Sequence, residues 1–130
     1  MSFPIHSIDQ AEFEKAENIY KIIKHNVALN YVFFELNEKK YYVSYFSPNI
    51  IVEFLLLEKD DYLLVGVDLK VVAVCIKTGS IVFSIGLSSF FKGFKNTDDS
   101  TFTIFSELED IVVNKNGLSI NQTIPHDLEF

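Results

Sequence analysis

The chain has 130 residues, of which 48% are hydrophobic and thirteen are Phe, so it has enough apolar material for one sizeable core and is not a disordered chain. Its net charge is −7 and all eleven cationic residues are Lys, which argues against binding to nucleic acid or an anionic membrane, because both require a basic surface. Its single cysteine, Cys75, excludes an intramolecular disulfide, and "MSFPIHSIDQAEFEK" contains no signal-peptide pattern, so we expect one cytoplasmic domain over residues 1–130.

An amphipathic helix is predicted over residues 7–25. Ser7 and Gln10 have the spacing of a capping box at its start. Four apolar residues share one stripe, and three basic residues near the end suit the negative pole of the helix dipole. The stripe consists of Phe13, Ala16, Tyr20 and Ile23, and the basic residues are Lys21, Lys24 and His25. We expect this helix to pack on one face of a sheet.

Strands are predicted over most of residues 28–124, because short apolar runs rich in Val, Ile, Phe and Tyr alternate with polar turns. The predicted fold class is therefore α+β, with one N-terminal amphipathic helix packed on a mainly antiparallel meander sheet of about eight strands. Residues 125–130 are predicted to form a tail. The candidate strands are 28–36, 40–47, 50–58, 62–67, 70–76, 80–87, 102–108, 110–115 and 118–124.

The most apolar stretch, residues 62–87, is predicted to form strands and not a membrane span. A spanning helix needs about 18 consecutive apolar residues, whereas Asp68, Lys70 and Lys77 interrupt this run. Residues 71–76 are apolar at every position, which is typical of a strand that is covered on both faces. We therefore expect other elements to pack on each side of this strand.

The same stretch resembles a blade of the quinoprotein-type β-propellers, in which a strand, a short turn, a second strand, a "KTG" turn and a third strand recur. "LLVGVDLKVVAVCIKTGSIVFSIGL" has that rhythm, and "TIFSELEDIVVNKNGLSI" repeats it more weakly, with a turn at Asn116–Gly117. A closed propeller needs about four or more blades of four strands. Because 130 residues with an N-terminal helix cannot supply them, we predict blade-like turns in an open sheet.

No catalytic, metal or cofactor motif is present. The three histidines, His6, His25 and His126, have no second His or Cys at ligand spacing. Cys75 lies in an apolar strand, so we expect a buried and unreactive thiol. We predict a protein without catalytic residues, bound metal or cofactor.

Three acidic loops and one aromatic segment form the predicted partner-binding surface. Alternate turns of a meander project to the same end of a sheet, so some of these loops can converge. Exposed aromatic anchors ringed by charge suit a protein–protein hot spot, although the Phe residues could equally fill the core. The residues are Glu58, Asp60, Asp61, Phe90, Phe91, Phe94, Asp98, Asp99, Glu107, Glu109 and Asp110.

In size, acidity and lack of catalytic motifs the chain resembles bacterial immunity proteins, which neutralise a cognate toxin. That resemblance implies a non-enzymatic protein that binds one basic toxin domain through acidic loops and aromatic side chains. One alternative is a binding module for a small apolar ligand, held in a Phe-rich cavity and oriented by Tyr hydroxyls. Another is a homo-oligomeric regulatory or structural subunit that pairs through an exposed edge strand.

Overall fold

Twelve strands, arranged as three four-stranded sheets, dominate the part of the chain described by the computed structural model, which covers residues 3–48, 50 and 52–126. The N-terminal sheet contains β1 (His6–Ser7), β2 (Lys21–Ile23), β3 (Asn30–Leu36) and β4 (Lys39–Tyr45). The central sheet contains β5 (Glu53–Leu57), β6 (Tyr62–Val67), β7 (Lys70–Cys75) and β8 (Ile81–Gly86). The C-terminal sheet contains β9 (Phe91–Lys95), β10 (Thr101–Ser106), β11 (Glu109–Asn114) and β12 (Ser119–Pro125).

In the central and C-terminal sheets the strands follow one another in chain order, and every neighbouring pair is antiparallel. This is the strand connectivity of a propeller blade. The N-terminal sheet differs, because its order is β1-β3-β4-β2 and β2 runs parallel to β4. The predicted antiparallel meander is thus confirmed for residues 53–125, but it is divided between two sheets.

The central sheet lies between the other two sheets and separates two layers of the core. Val72 and Val74 pack toward the N-terminal sheet, whereas Val71 and Ala73 on the same strand pack toward the C-terminal sheet. All four residues are at most 1% exposed. This burial on both faces explains why residues 71–75 of β7 are all apolar.

The predicted helix over residues 7–25 is wrong. The structure has a short helix α1 (Gln10–Lys15), capped by the side chain of Asp9, which accepts a hydrogen bond from the Glu12 backbone N–H. The helix ends at Ala16, whose backbone is extended. A 3-10 turn at Asn18–Tyr20 then leads into β2.

The physical reason for this error is the tertiary environment of Ile22 and Ile23. Both side chains are buried, although they are adjacent in sequence, and Ile23 pairs with Val43 of β4. Pairing and burial between two sheets outweigh the weak intrinsic preference of these residues for a helix. A stripe with helical spacing therefore belongs partly to a helix and partly to a strand.

The predicted α+β class, with one sheet of about eight strands, is also wrong, because the described residues form twelve strands in three sheets and one short α-helix. Two connections between consecutive strands cross from one sheet to the next. The first joins β4 to β5, and the second joins β8 to β9. Polar turns mark where strands end, but they do not show whether the next strand joins the same sheet.

The α-helix among the described residues, α1, has six residues, and none of these residues forms a helix that could span a bilayer.

The outer faces of the two flanking sheets differ in what covers them. On the N-terminal sheet, Phe13 of α1 packs against the rings of Tyr31 and Tyr42, with centroid distances of 5.3 and 6.3 Å. On the C-terminal sheet, the outer face carries polar residues such as Asn114 and Ser119, which are hydrogen-bonded to each other. The helix covers one outer face, and polar side chains suit the other face to water.

Candidate functional site

Because the strands alternate in direction, the loops gather at two opposite ends of the stacked sheets. We call the first the apolar end and the second the polar end. The loops of the apolar end are residues 25–29, 46–48 with 50, 68–69, 87–90 and 107–108, followed by His126. The loops of the polar end are residues 37–38, 58–61, 76–80, 96–100 and 115–118.

Asp68 fixes two of the loops at the apolar end. Its Oδ2 accepts hydrogen bonds from the backbone N–H groups of Phe46 (2.7 Å) and Ser47 (3.3 Å). Its carbonyl oxygen accepts one from the N–H of Phe91 (2.7 Å). The residue is 6% exposed, and its φ of 52° is one that Asp tolerates better than most residues. Among the described residues, Oδ1 of Asp68 has no hydrogen-bond partner.

The remaining loops of this end are joined in the same way. The N–H of Glu107 donates to the carbonyl of Phe90 (2.9 Å), and the N–H of Leu108 donates to Oγ of Ser89 (3.0 Å). The N–H of Leu29 donates to the carbonyl of Tyr45 (3.1 Å). The loops therefore form one hydrogen-bonded surface that spans all three sheets.

This surface exposes large apolar side chains. Among the described residues, twelve large hydrophobic side chains are exposed, and seven of them lie in the loops of the apolar end. Their exposed fractions range from 40% to 65%. Exposed apolar side chains that are concentrated at one end of a molecule are typical of an interaction site. The seven are Val27, Leu29, Phe46, Ile50, Leu69, Phe90 and Leu108.

A cleft of about 420 Å³ and a second of about 630 Å³ open near this end. The larger one is lined by Ile50 and Phe90 together with Glu53, Lys92 and Glu107. Partial burial of the Glu53 carboxyl group raises its pKa. The larger cleft thus combines apolar walls with two carboxyl groups and one ammonium group.

The three predicted aromatic residues differ in how far each side chain is buried. Phe90 is 44% exposed, whereas Phe91 is buried against Gly66, where an added Cβ would lie 2.7 Å from the Phe91 ring. Phe94 is half-buried and packs on Phe91, with a centroid distance of 4.7 Å. Of the three, Phe90 presents the most open surface.

The acidic residues predicted from the loop at 107–110 lie at the apolar end with Phe90. Glu109 accepts a hydrogen bond from Oγ of Ser88 (2.9 Å). Asp110 lies 2.7 Å from Nε2 of His126, and the carbonyl of Glu107 lies 3.0 Å from Nδ1 of the same ring. These two hydrogen bonds, that of Asp110 first, raise the pKa of His126. When it is protonated, the imidazole donates from both nitrogens, to the Asp110 carboxylate and to the carbonyl of Glu107, and so ties the end of β12 to the loop at 107–110.

The other five predicted residues lie at the polar end. Glu58, Asp60 and Asp99 line a shallow cleft of about 390 Å³. Asp61 forms an ion pair with Lys77 (3.3 Å). Oδ1 of Asp98 accepts hydrogen bonds from the backbone N–H groups of residues 100 and 101, which lower its pKa. The predicted surface is therefore distributed over both ends of the molecule.

Cys75 is more accessible than the sequence predicted. It lies at the end of β7 and is partly exposed. Hydrogen bonds from Thr78 lower the pKa of the Cys75 thiol. The bond from the Thr78 side chain contributes most, and the bond from its backbone contributes next. The strand ends at this residue, so the apolar run to Ile76 does not enclose it.

The histidines are not gathered into a site. The His6 ring stacks on Phe33 and the His25 ring stacks on Phe46, with centroid distances of 4.8 and 5.8 Å. Within residues 3–48, 50 and 52–126, no three His, Cys, Asp or Glu side chains lie close enough together to hold one metal ion.

Sequence reasoning missed most of the apolar end, although a signal was present. Leu69 and Leu108 each occupy a tight turn, where polar residues are usual. The corresponding turns at the polar end contain Asn37–Glu38, Thr78–Gly79 and Asn116–Gly117. Leu69 and Leu108 lie in turns on the same side of the antiparallel strands. Large apolar residues in such turns predict that one end of the molecule is apolar.

No family model matches the chain, and no curated protein or solved structure is significantly similar to it.

Proposed function

We propose that this chain is a non-catalytic protein-binding module and that the apolar end is its binding surface. The observation that carries this proposal is the concentration of seven exposed apolar side chains in loops that hydrogen bonds hold together. Binding surfaces gain affinity from preformed apolar anchors, because ordering them costs little on association. Phe90 and Leu108, which lie on loops joined by two hydrogen bonds, are the anchors that we expect to contribute most.

The charge around these anchors supports a basic partner. Glu53 and Glu107 line the same cleft as Phe90, and Glu109 lies in the adjoining strand. The chain as a whole carries a net charge of −7. A negative rim accelerates association with a basic protein and favours it over acidic competitors.

The specific form of this proposal is an immunity protein that neutralises a cognate toxin. In it the apolar end covers the active site or the substrate path of a basic toxin domain. This form rests on the acidity of the chain, its size and its exposed anchors. The glutamates at 53, 107 and 109 then pair with basic residues of the toxin domain.

The test uses a basic toxin domain, to be identified among the products of the neighbouring genes. Wild-type protein, the double variant Phe90→Asp/Leu108→Asp and the control Ile19→Asp are compared by calorimetry and by growth rescue on co-expression. Ile19 is 70% exposed and precedes β2 on the side away from the apolar end, so its substitution matches the chemical change at a different place. We expect the double variant to weaken binding by about 100-fold and to abolish rescue, while the control changes neither.

Three results would contradict the proposal. The first is equal loss of binding in the control and in the double variant. The second is full rescue by Phe90→Asp/Leu108→Asp. The third is a wild-type chain that associates with itself through these side chains but binds no toxin domain, as sedimentation velocity would show.

A further inference from the structure

The central sheet is uncovered above its last strand, on the side that faces the N-terminal sheet. On β7, Val72 and Val74 are buried beneath that sheet. Their direct neighbours on β8, Ser84 and Ile81, are exposed. Gly86, at the end of β8, has no atom within 4 Å of the position of an added Cβ. The cover provided by the N-terminal sheet therefore stops between β7 and β8.

β2 forms the wall of the resulting groove. It is the last strand of the N-terminal sheet, it pairs with β4, and it lies above β7. Among the described strands, none pairs with its other edge. A strand edge presents backbone N–H and C=O groups that an added strand can bind. An extended segment laid over β8 would therefore lie beside β2 as the next strand of its sheet.

The groove is positively charged, in contrast to the chain as a whole. This is the cleft of about 420 Å³, and the ammonium-bearing Lys24 and Lys70 are among its lining residues. The single carboxylate in its lining is Asp68, which is 6% exposed and accepts two backbone hydrogen bonds through Oδ2. Lys21 also lines the cleft, but its ammonium group donates to the carbonyl of Glu14.

We propose that this groove binds an acidic extended peptide segment by strand addition to β2. The backbone of the peptide pairs with the free edge of β2, and its carboxylates lie near Lys24 and Lys70. The side chains that face the central sheet occupy the open space above Ser84 and Gly86. The groove shares Leu69 with the apolar end, but Phe90 and Leu108 are not among its lining residues. Its partner has the opposite charge, so variants at Lys24, Lys70 and Gly86 test it independently of the toxin.

The probe is a short fluorescein-labelled peptide of alternating glutamate and valine, titrated into the whole chain and followed by fluorescence anisotropy. Two matched peptides serve as controls: one has lysine in place of glutamate, and one is N-methylated at alternate amides so that it cannot pair with a strand edge. We expect the glutamate peptide to bind and both controls to bind at least about tenfold more weakly. Amide NMR shifts should map its binding to residues 21–25 and 81–86.

Substitutions in the groove test the location of the site without any change to the peptide. Gly86→Val fills the floor of the groove at a position where space is open, so it should leave the melting temperature unchanged and weaken binding by about tenfold. Lys24→Glu/Lys70→Glu should weaken binding by about tenfold, whereas Lys59→Glu/Lys95→Glu, with the same change in charge, should not.

Several results would overturn the proposal. They are equal binding of the glutamate and lysine peptides, undiminished binding of the N-methylated peptide, NMR shifts that map outside the groove, and absence of glutamate-peptide binding up to about 1 mM.

Discussion

The two ends of this molecule are built from the same kinds of strand but from different turns. At the apolar end, large side chains such as Leu69 and Leu108 occupy turn positions and remain 42% and 48% exposed. At the polar end, the turns contain Asn, Gly, Asp and Glu. Asp98 accepts hydrogen bonds within its own loop, and Asp61 pairs with Lys77 of a neighbouring loop. The strands are thus alike at both ends, whereas the turns place large exposed apolar side chains at the end that we propose binds a partner.

The largest expected effect is the difference in stability between a core substitution and a surface substitution at the apolar end. Phe91→Ala should lower the free energy of unfolding by about 4 kcal/mol, because it empties a buried site beside Gly66. Phe90→Ala should lower it by less than about 1 kcal/mol, since the Phe90 side chain is already exposed. Urea denaturation of both variants measures the difference. Similar losses in the two variants would contradict the assignment of Phe90 to the binding surface.

The next largest effect is the difference in stability loss between replacing a buried aspartate and replacing an exposed one. Asp68→Ala leaves the N–H groups of Phe46 and Ser47 without their acceptor, and we expect a loss of about 3 kcal/mol. Asp98→Ala, at the polar end, removes an acceptor in an exposed loop and should cost less. Thermal unfolding of the two variants checks the order, and Asp68→Asn, which keeps one acceptor oxygen, should fall between wild type and Asp68→Ala. A larger loss for Asp98→Ala would contradict the role of Asp68 in fixing the apolar end.

A smaller effect concerns the close approach of β6 and β9. Gly66→Ala places a methyl group 2.7 Å from the buried ring of Phe91, and we expect a loss of about 2 kcal/mol from the forced displacement. Gly86→Ala, which meets no atom within 4 Å, is the matched control and should not destabilise the protein. Denaturant midpoints of the two variants report the contrast. Equal stability of both would show that the Phe91 ring moves freely.

The smallest effect depends on pH. The pKa of His126 is raised above its ordinary value of 6.5 by its hydrogen bonds to Asp110 and Glu107. A raised folded-state pKa stabilises the protein fully below the unfolded-state value, and this stabilisation is lost as pH rises through the folded-state value. The melting temperature of wild type should therefore fall more between about pH 6 and pH 8.5 than that of His126→Gln. Parallel pH profiles would contradict the interaction of His126 with Asp110.

The sequence predicts nine of the twelve described strands, because their signals are local, but it misses β1, β2 and β9. The strands at 62–67, 70–76 and 80–87 agree with the structure to within about one residue at each end. The assignment to three sheets is not local, since it depends on whether the chain after Tyr45 and after Gly86 returns to its own sheet or crosses to the next. The helix over 7–25 failed for the same reason, because burial of Ile22 and Ile23 between two sheets is a tertiary effect.

The candidate site was predicted in part. Phe90 and the acidic loop at 107–110 were identified from the sequence, and the structure brings Phe90 and Glu107 into one cleft. The acidic loops at 58–61 and 96–100 lie at the other end because antiparallel strands send alternate turns to opposite ends. Leu69 and Leu108 are neither charged nor aromatic, and a single apolar residue in a turn is a weak signal in the sequence. The tail predicted at 125–130 begins inside β12, and its residues 127–130 lie outside the described residues.

Hydrogen–deuterium exchange on the complex with the basic toxin domain that we propose as partner tests the central claim most directly. Exchange at each backbone amide is compared between the free chain and the saturated complex. We predict new protection in residues 25–29, 68–69, 87–90 and 107–108, and unchanged exchange in residues 58–61 and 96–100. Protection confined to 58–61 and 96–100 would contradict the assignment of binding to the apolar end.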